Sequence, residues 1–135
     1  MASVGYSGTP LPKKLGFKPG MKAAFLDAPA QLDGLLGELD GVSVKRVLRG
    51  RADIVLCFVT ARGWLERRAG RLREAIAPDG MVWVCWPKRA SKVPTDVTED
   101  VVREVLLPTG LVDVKVAAVD ETWSGLKLVV RKELR

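Results

Sequence analysis

Histidine is absent from the 135 residues, and cysteine occurs only twice. The first absence removes His-based catalytic triads, histidine general bases and histidine metal ligands. Cys57 and Cys85, with no Cys-x-x-Cys pair, are too few for a structural zinc site, so no metal is expected. Both stand inside predicted buried strands, where a thiol behaves as a small core hydrophobe, and a disulfide is not expected in a reducing compartment. No apolar run reaches the length of a membrane-spanning helix, so no membrane partner is expected. Residues Met1 to Pro12 are polar, rich in Gly and Pro, and lack the apolar stretch of a signal peptide, which points to a cytoplasmic protein. There is no block of five or more Lys and Arg, no internal repeat and no low-complexity tract.

What is present is enough apolar material for a core: 47% hydrophobic residues and a mean hydropathy of +0.09. The length fits one domain, read as an N-terminal arm over residues 1–14 and a single α/β domain over 15–135. The net charge of +6 permits nucleic acid or other anionic partners without requiring them.

Along the chain, Pro12 to Leu15 reads as a short helix ended by Gly16. Met21 to Asp27 is a continuous apolar strand of the kind covered on both faces. Pro29 opens a helix with Leu32, Leu35, Leu36 and Leu39 on one side, weakened by Gly34 and Gly37. Strands follow at Val42–Val47 and Asp53–Val59, with a connector too short for a helical crossover. Thr60 is placed to cap a helix with Leu65, Ala69, Leu72 and Ile76 buried, while Arg67, Arg68, Arg71 and Arg73 face solvent. Pro78-Asp79-Gly80 launches the strand Met81–Trp86, in which Trp83 and Trp86 point to opposite sides. Asp96-x-x-Glu99 reads as a capping box for a helix through Leu107, with Val97, Val101, Val105 and Leu106 inward. Strands at Val112–Val119 and Lys127–Lys132 close the chain, joined by a hairpin-like loop from Asp120 to Gly125. Strands alternating with helices predict a three-layer Rossmann-like sandwich of about six mainly parallel strands with a terminal antiparallel hairpin strand.

Leu15-Gly16-Phe17-Lys18-Pro19-Gly20-Met21 and Ala77-Pro78-Asp79-Gly80 both lead into buried strands. With the strand order, they resemble a trimmed class I S-adenosylmethionine-dependent methyltransferase domain that has lost one strand–helix unit. Four segments also resemble a bacterial domain-of-unknown-function family of small proteins, which implies no established activity. They are Tyr6-Ser7-Gly8-Thr9-Pro10-Leu11, Leu15 to Gly20, Trp86-Pro87-Lys88, and Val119 to Leu126 with its central Glu121-Thr122-Trp123-Ser124-Gly125. The methyltransferase resemblance implies S-adenosylmethionine as cofactor, yet two features oppose its usual binding mode. The place of the Gly-x-Gly loop reads Asp27-Ala28-Pro29-Ala30, and the second strand ends in basic Lys45-Arg46-Val47 rather than in an acidic residue.

Ligands of open α/β sheets sit beyond the carboxyl ends of the strands. That rule gathers Asp27, Arg62, Lys88, Asp120, Glu121 and Trp123 as ligand-binding candidates. All but Lys88 have a structural role that competes: Asp27 as a helix cap, Arg62 as a paired or solvated charge, Asp120 and Glu121 as turn formers, Trp123 as a lid over the core. Arg67, Arg68 and Arg71 read as a solvated helix face or, failing that, a polyanion patch. Catalytic residues are not assigned. The favoured reading is a non-enzymatic domain that binds a small anionic or zwitterionic ligand, or a protein partner, at the carboxyl edge. The alternatives are a divergent S-adenosylmethionine-binding protein or methyltransferase, and a basic nucleic-acid-associated module.

Overall fold

A computed structural model describes residues 9–135. The expected arm and the Tyr6–Leu11 segment therefore lie outside the described residues as far as position 8. Six strands form one sheet: β1 (Lys22–Leu26), β2 (Ser43–Lys45), β3 (Ala52–Phe58), β4 (Ile76–Pro87), β5 (Leu111–Ala118) and β6 (Trp123–Val130). Their spatial order is β2-β1-β3-β4-β6-β5. The pairs β1–β2, β1–β3 and β3–β4 are parallel, and β4–β6 and β5–β6 antiparallel. The predicted mainly parallel sheet with a terminal hairpin is the observed one.

Helices cover both faces. On one side lie α1 (Leu11–Leu15) and α2 (Leu32–Leu36), which bury Leu11, Leu15, Leu32 and Leu36 against Phe25, Ile54, Leu56 and Trp83. On the other lie α3 (Arg62–Ala75) and α4 (Glu99–Leu106), whose Leu65, Leu72, Val102 and Leu106 meet Val55, Val82, Val84 and Leu128. Each such buried aliphatic side chain contributes about 1.5–3 kcal/mol. The central strands are buried on both faces over residues 23–26, 54–58 and 82–86, which is why these stretches are apolar.

Trp83 and Trp86 do face opposite sides, and both are core residues. Trp83 is wholly buried, and its indole Nε1–H donates to the Leu15 carbonyl at 2.9 Å. Gly125 of β6 makes room for that ring: a Cβ there would lie 3.1 Å from Trp83 Cε3 and 3.3 Å from Cys85 Sγ. Leu11 and Leu15 are buried against the sheet, so the short helix α1 packs on it.

Several local expectations need correction. The helix opened by Pro29 is a single short segment that stops at Gly37, whose φ of +66° leaves the helical region. The Pro78-Asp79-Gly80 turn is present, but it interrupts a strand that starts earlier. Ala52 pairs with Ile76 and Ile54 with Met81, so residues 77–80 loop out between them. Thr60 does not cap α3. The first α3 amide, that of Arg62, donates instead to Asp96 Oδ1 at 2.7 Å. Asp96 is thus spent on a neighbouring helix, and the residue capping α4 is Thr98, whose hydroxyl accepts from the Val101 amide at 3.2 Å. The α4 stripe is accordingly Val102 and Leu106, with Val101 and Val105 half-buried. The last strand begins earlier than predicted, at Trp123, because the Asp120 turn is shorter than a six-residue loop.

The connection from β2 to β3 positions the site. Parallel strands ordinarily need a dozen or more residues to cross over. Residues 46–51 suffice here because β2 is only three residues long, leaving little distance to retrace. The connector lies alongside α3, where Arg71 Nη2 donates to the Leu48 carbonyl at 2.6 Å.

Candidate functional site

The chain leaves β1 for β2 on one side and returns to β3 on the other, so the sheet order reverses at the carboxyl end of β1. Such a switch point opens a crevice in α/β sheets. Here it is a cleft of about 580 Å³. Leu26 and Asp27 at the end of β1 line it, with Arg46, Val47 and Leu48 after β2. One face of α3 supplies its far wall through Trp64, Arg67, Arg68 and Arg71. A smaller cleft of about 250 Å³ adjoins it across Asp27 and Trp64, and Phe58 and Trp123 line that one too.

Positions 64, 67, 68 and 71 share one helical face by their i, i+3, i+4, i+7 spacing. Arg68 lies over the Trp64 ring at 4.3 Å from its centroid, and its Nη1 donates to the Trp64 carbonyl at 3.3 Å. Gly63 leaves the space into which Arg67 folds, since a Cβ there would lie 3.1 Å from its Nη1. Among the described residues, Arg67, Arg68 and Arg71 form no ion pair with a carboxylate. Arg46 pairs with Asp33 at 3.2 Å, both side chains more than half exposed. Such a surface pair contributes only about 0–1 kcal/mol and exchanges readily.

Asp27 sits at φ +53°, the backbone region that glycine favours and that Asp tolerates. The missing glycine of the expected loop is therefore replaced by an aspartate in a glycine-like conformation, with its side chain exposed at the junction of the two clefts.

Of the six predicted site residues, the structure brings Asp27 and Trp123 together on the smaller cleft, where Trp123 packs edge-on against Phe58 with centroids 5.2 Å apart. Lys88 and Asp120 also meet, but through the backbone: Lys88 Nζ donates to the Asp120 carbonyl at 2.7 Å. The Asp120 carboxylate accepts from the Thr122 and Trp123 amides, both at 2.8 Å, and from Gln31 at 3.2 Å. These two residues fix the β5–β6 turn to the end of β4. Glu121 is exposed beside them and lines neither cleft. Arg62 turns away, pairing with Glu66 at 2.9 Å and Glu104 at 3.6 Å. The Glu66 hydrogen bond, aided by Glu104, raises its pKa above the ordinary guanidinium value.

Sequence reasoning did not gather Arg46 and Trp64 as candidates; Arg67 and Arg71 are exposed, as the solvated-face reading expects, and with Arg68 they also line the larger cleft. A tryptophan heading an arginine stripe at helical spacing is the signal that was available. The two thiols are far from reactive: Cys57 is pushed up to about 12 by burial and then by Asp27, and Cys85 is raised by burial. Among the described residues, no cluster of His, Cys, Asp and Glu could hold a metal ion. No helix is long and apolar enough to cross a membrane among them either.

No protein-family model matches the sequence, and no curated protein matches it. Solved structures do match. An S-adenosylmethionine-dependent methyltransferase from Aquifex aeolicus is 16% identical with a TM-score of 0.60, over 89% of this chain and 88% of that one. Magnesium protoporphyrin IX methyltransferase from Synechocystis PCC 6803, solved with bound S-adenosylmethionine, is 10% identical with a TM-score of 0.58. A ribosomal protein L11 methylase from Lactobacillus delbrueckii subsp. bulgaricus is 12% identical with a TM-score of 0.54. Each of the last two alignments covers 89% of this chain and 74% of the other. The chain has the class I methyltransferase fold, reduced to six strands. At these identities the likeness concerns the fold alone.

Proposed function

We propose that this protein is a small-ligand-binding domain on the methyltransferase fold, taking its ligand in the cleft between β1, the end of β2 and α3. The observation that carries the reading is the open cleft at the switch point, where the apolar side chains of Leu26 and Leu48, with Val47 exposed at the rim, meet convergent polar groups. Its volume falls within the range of small-molecule sites, about 300–1,000 Å³.

A second reading is S-adenosylmethionine binding, with or without methyl transfer. The methyltransferase neighbours favour it over a domain with no enzymatic role, and one of them carries that cofactor. The local chain departs from the usual mode. Pro29 withdraws an amide from the loop after β1, Arg46 stands where a carboxylate would meet ribose hydroxyls, and the arginine wall repels a sulfonium. Calorimetric titration with S-adenosylmethionine and a panel of small anions tests both readings. Saturable binding of any of them that weakens in Trp64→Ala supports the cleft. Tight binding of S-adenosylmethionine above all others supports the cofactor reading, and methyl-transfer assays follow. Binding unaffected by Trp64→Ala refutes the assignment of the cleft.

A further inference from the structure

We propose that the ligand of this cleft is a phosphorylated nucleoside, its ring in the aromatic slot and its phosphates against the arginine wall. The inference rests on the cleft being the ligand site and adds the chemistry of what fills it.

Two adjoining compartments of opposite character share Asp27 and Trp64. The smaller is aromatic and uncharged apart from Asp27: Phe58, Trp64 and Trp123 surround a space suited to a planar ring, which aromatic side chains hold by stacking or edge contact. The larger sets the three guanidinium groups of α3, Arg67, Arg68 and Arg71, against one unpaired carboxylate, that of Asp27, while Arg46 at its rim is paired with Asp33. Like charges on one wall repel each other, and a bound anion relieves that repulsion. Arg67, Arg68 and Arg71 have no carboxylate ion pair among the described residues, so they are open to one. Their internal hydrogen bonds are single: Arg68 to the Trp64 carbonyl, Arg71 to the Leu48 carbonyl. A guanidinium has five N–H donors in a planar fork that matches phosphate oxygens, so most donors remain. Arg46, one residue past the end of β2, is held by Asp33 and lies over the Phe25 ring, so the phosphate contacts fall to the arginines of α3. Asp27, between the compartments, can accept from ribose hydroxyls.

The test is calorimetry at low salt with ADP, adenosine and inorganic pyrophosphate, on the wild type and on Arg67→Glu. Arg67 is exposed and without an ion pair, so its replacement leaves the fold intact, which thermal melting checks. ADP is expected to bind at least about tenfold more tightly than either adenosine or pyrophosphate, as two subsites acting together require. Arg67→Glu is expected to weaken ADP by at least about tenfold while leaving adenosine unchanged. Equal affinity for ADP and adenosine, or indifference of ADP to Arg67→Glu, overturns the phosphate assignment while the cleft survives as a site. Pyrophosphate matching ADP overturns the ring assignment. A short single-stranded RNA that binds far more tightly than ADP, with a steep salt dependence, replaces the proposal by a nucleic-acid surface. Failure of all these probes together with S-adenosylmethionine overturns the cleft itself.

Discussion

Replacing Trp83 by Phe removes one hydrogen bond and opens one cavity, and both consequences can be worked out. The indole is wholly buried between β6 and the helix pair α1 and α2, and its N–H is bound to the Leu15 carbonyl at 2.9 Å. Phenylalanine cannot donate, so that carbonyl loses its indole partner at a cost of about 1–2 kcal/mol. Full truncation of a buried aromatic costs about 3–5 kcal/mol, and the smaller loss from Trp to Phe is roughly 1–2 kcal/mol. The sum is about 2–4 kcal/mol. A chain of this length loses roughly 3 °C for each kcal/mol, so the melting temperature should fall by about 6–12 °C. Urea unfolding gives the free energy and calorimetry the temperature. The bond also docks α1, so tryptic cleavage at Lys13 and Lys14 should accelerate in the variant before global unfolding begins. A loss below about 1 kcal/mol with unchanged cleavage would refute the claim that Trp83 ties α1 to the sheet.

The Arg103 guanidinium holds the Asp113 carboxyl below its ordinary pKa through a 2.9 Å hydrogen bond. A depressed folded-state pKa contributes stability above the unfolded value, lost as pH falls through the folded one. Urea midpoints of wild type and Asp113→Asn should therefore differ most near neutrality and converge in acid below about pH 4; a constant gap would count against the pair. Cys57 and Cys85, both buried and raised in pKa, should resist a thiol reagent at pH 8 in the native protein and react fully in denaturant. Native labelling would show that the core opens. Asp27→Gly should stabilise slightly and Asp27→Val destabilise by about 1 kcal/mol or more, because the left-handed backbone at this position suits glycine. Equal melting temperatures for the two variants would argue that the strained turn is absent in solution.

The sheet was legible because its central strands are buried on both faces and read as apolar runs. Ile54 to Val59 and Val82 to Trp86 admit no other element. The terminal hairpin was legible from order alone, but not its ends, since Asp120 draws in two amides and shortens the turn. Caps were misread for a different reason. Asp96 and Thr98 both fit the start of α4, and only the tertiary structure shows that Asp96 reaches Arg62, 34 positions away. The lining of the candidate cleft was legible only in part. Asp27 and Trp123 followed from the carboxyl-edge rule and line the smaller cleft, whereas the arginine face of α3 is exposed as its pattern implies, and the pattern does not show that it also borders a cleft. The short connector from β2 to β3 makes that face a wall, and its path past α3 is a consequence of a three-residue strand.

The most direct test of the central claim is a map of amide shift changes in an isotope-labelled sample titrated with ADP and, separately, with S-adenosylmethionine. The account predicts changes confined to Asp27–Ala28, Arg46–Leu48, the Trp64 and Trp123 indoles and the Arg67–Arg71 turn of α3. Changes centred elsewhere, for instance on β5 or α4, would contradict it.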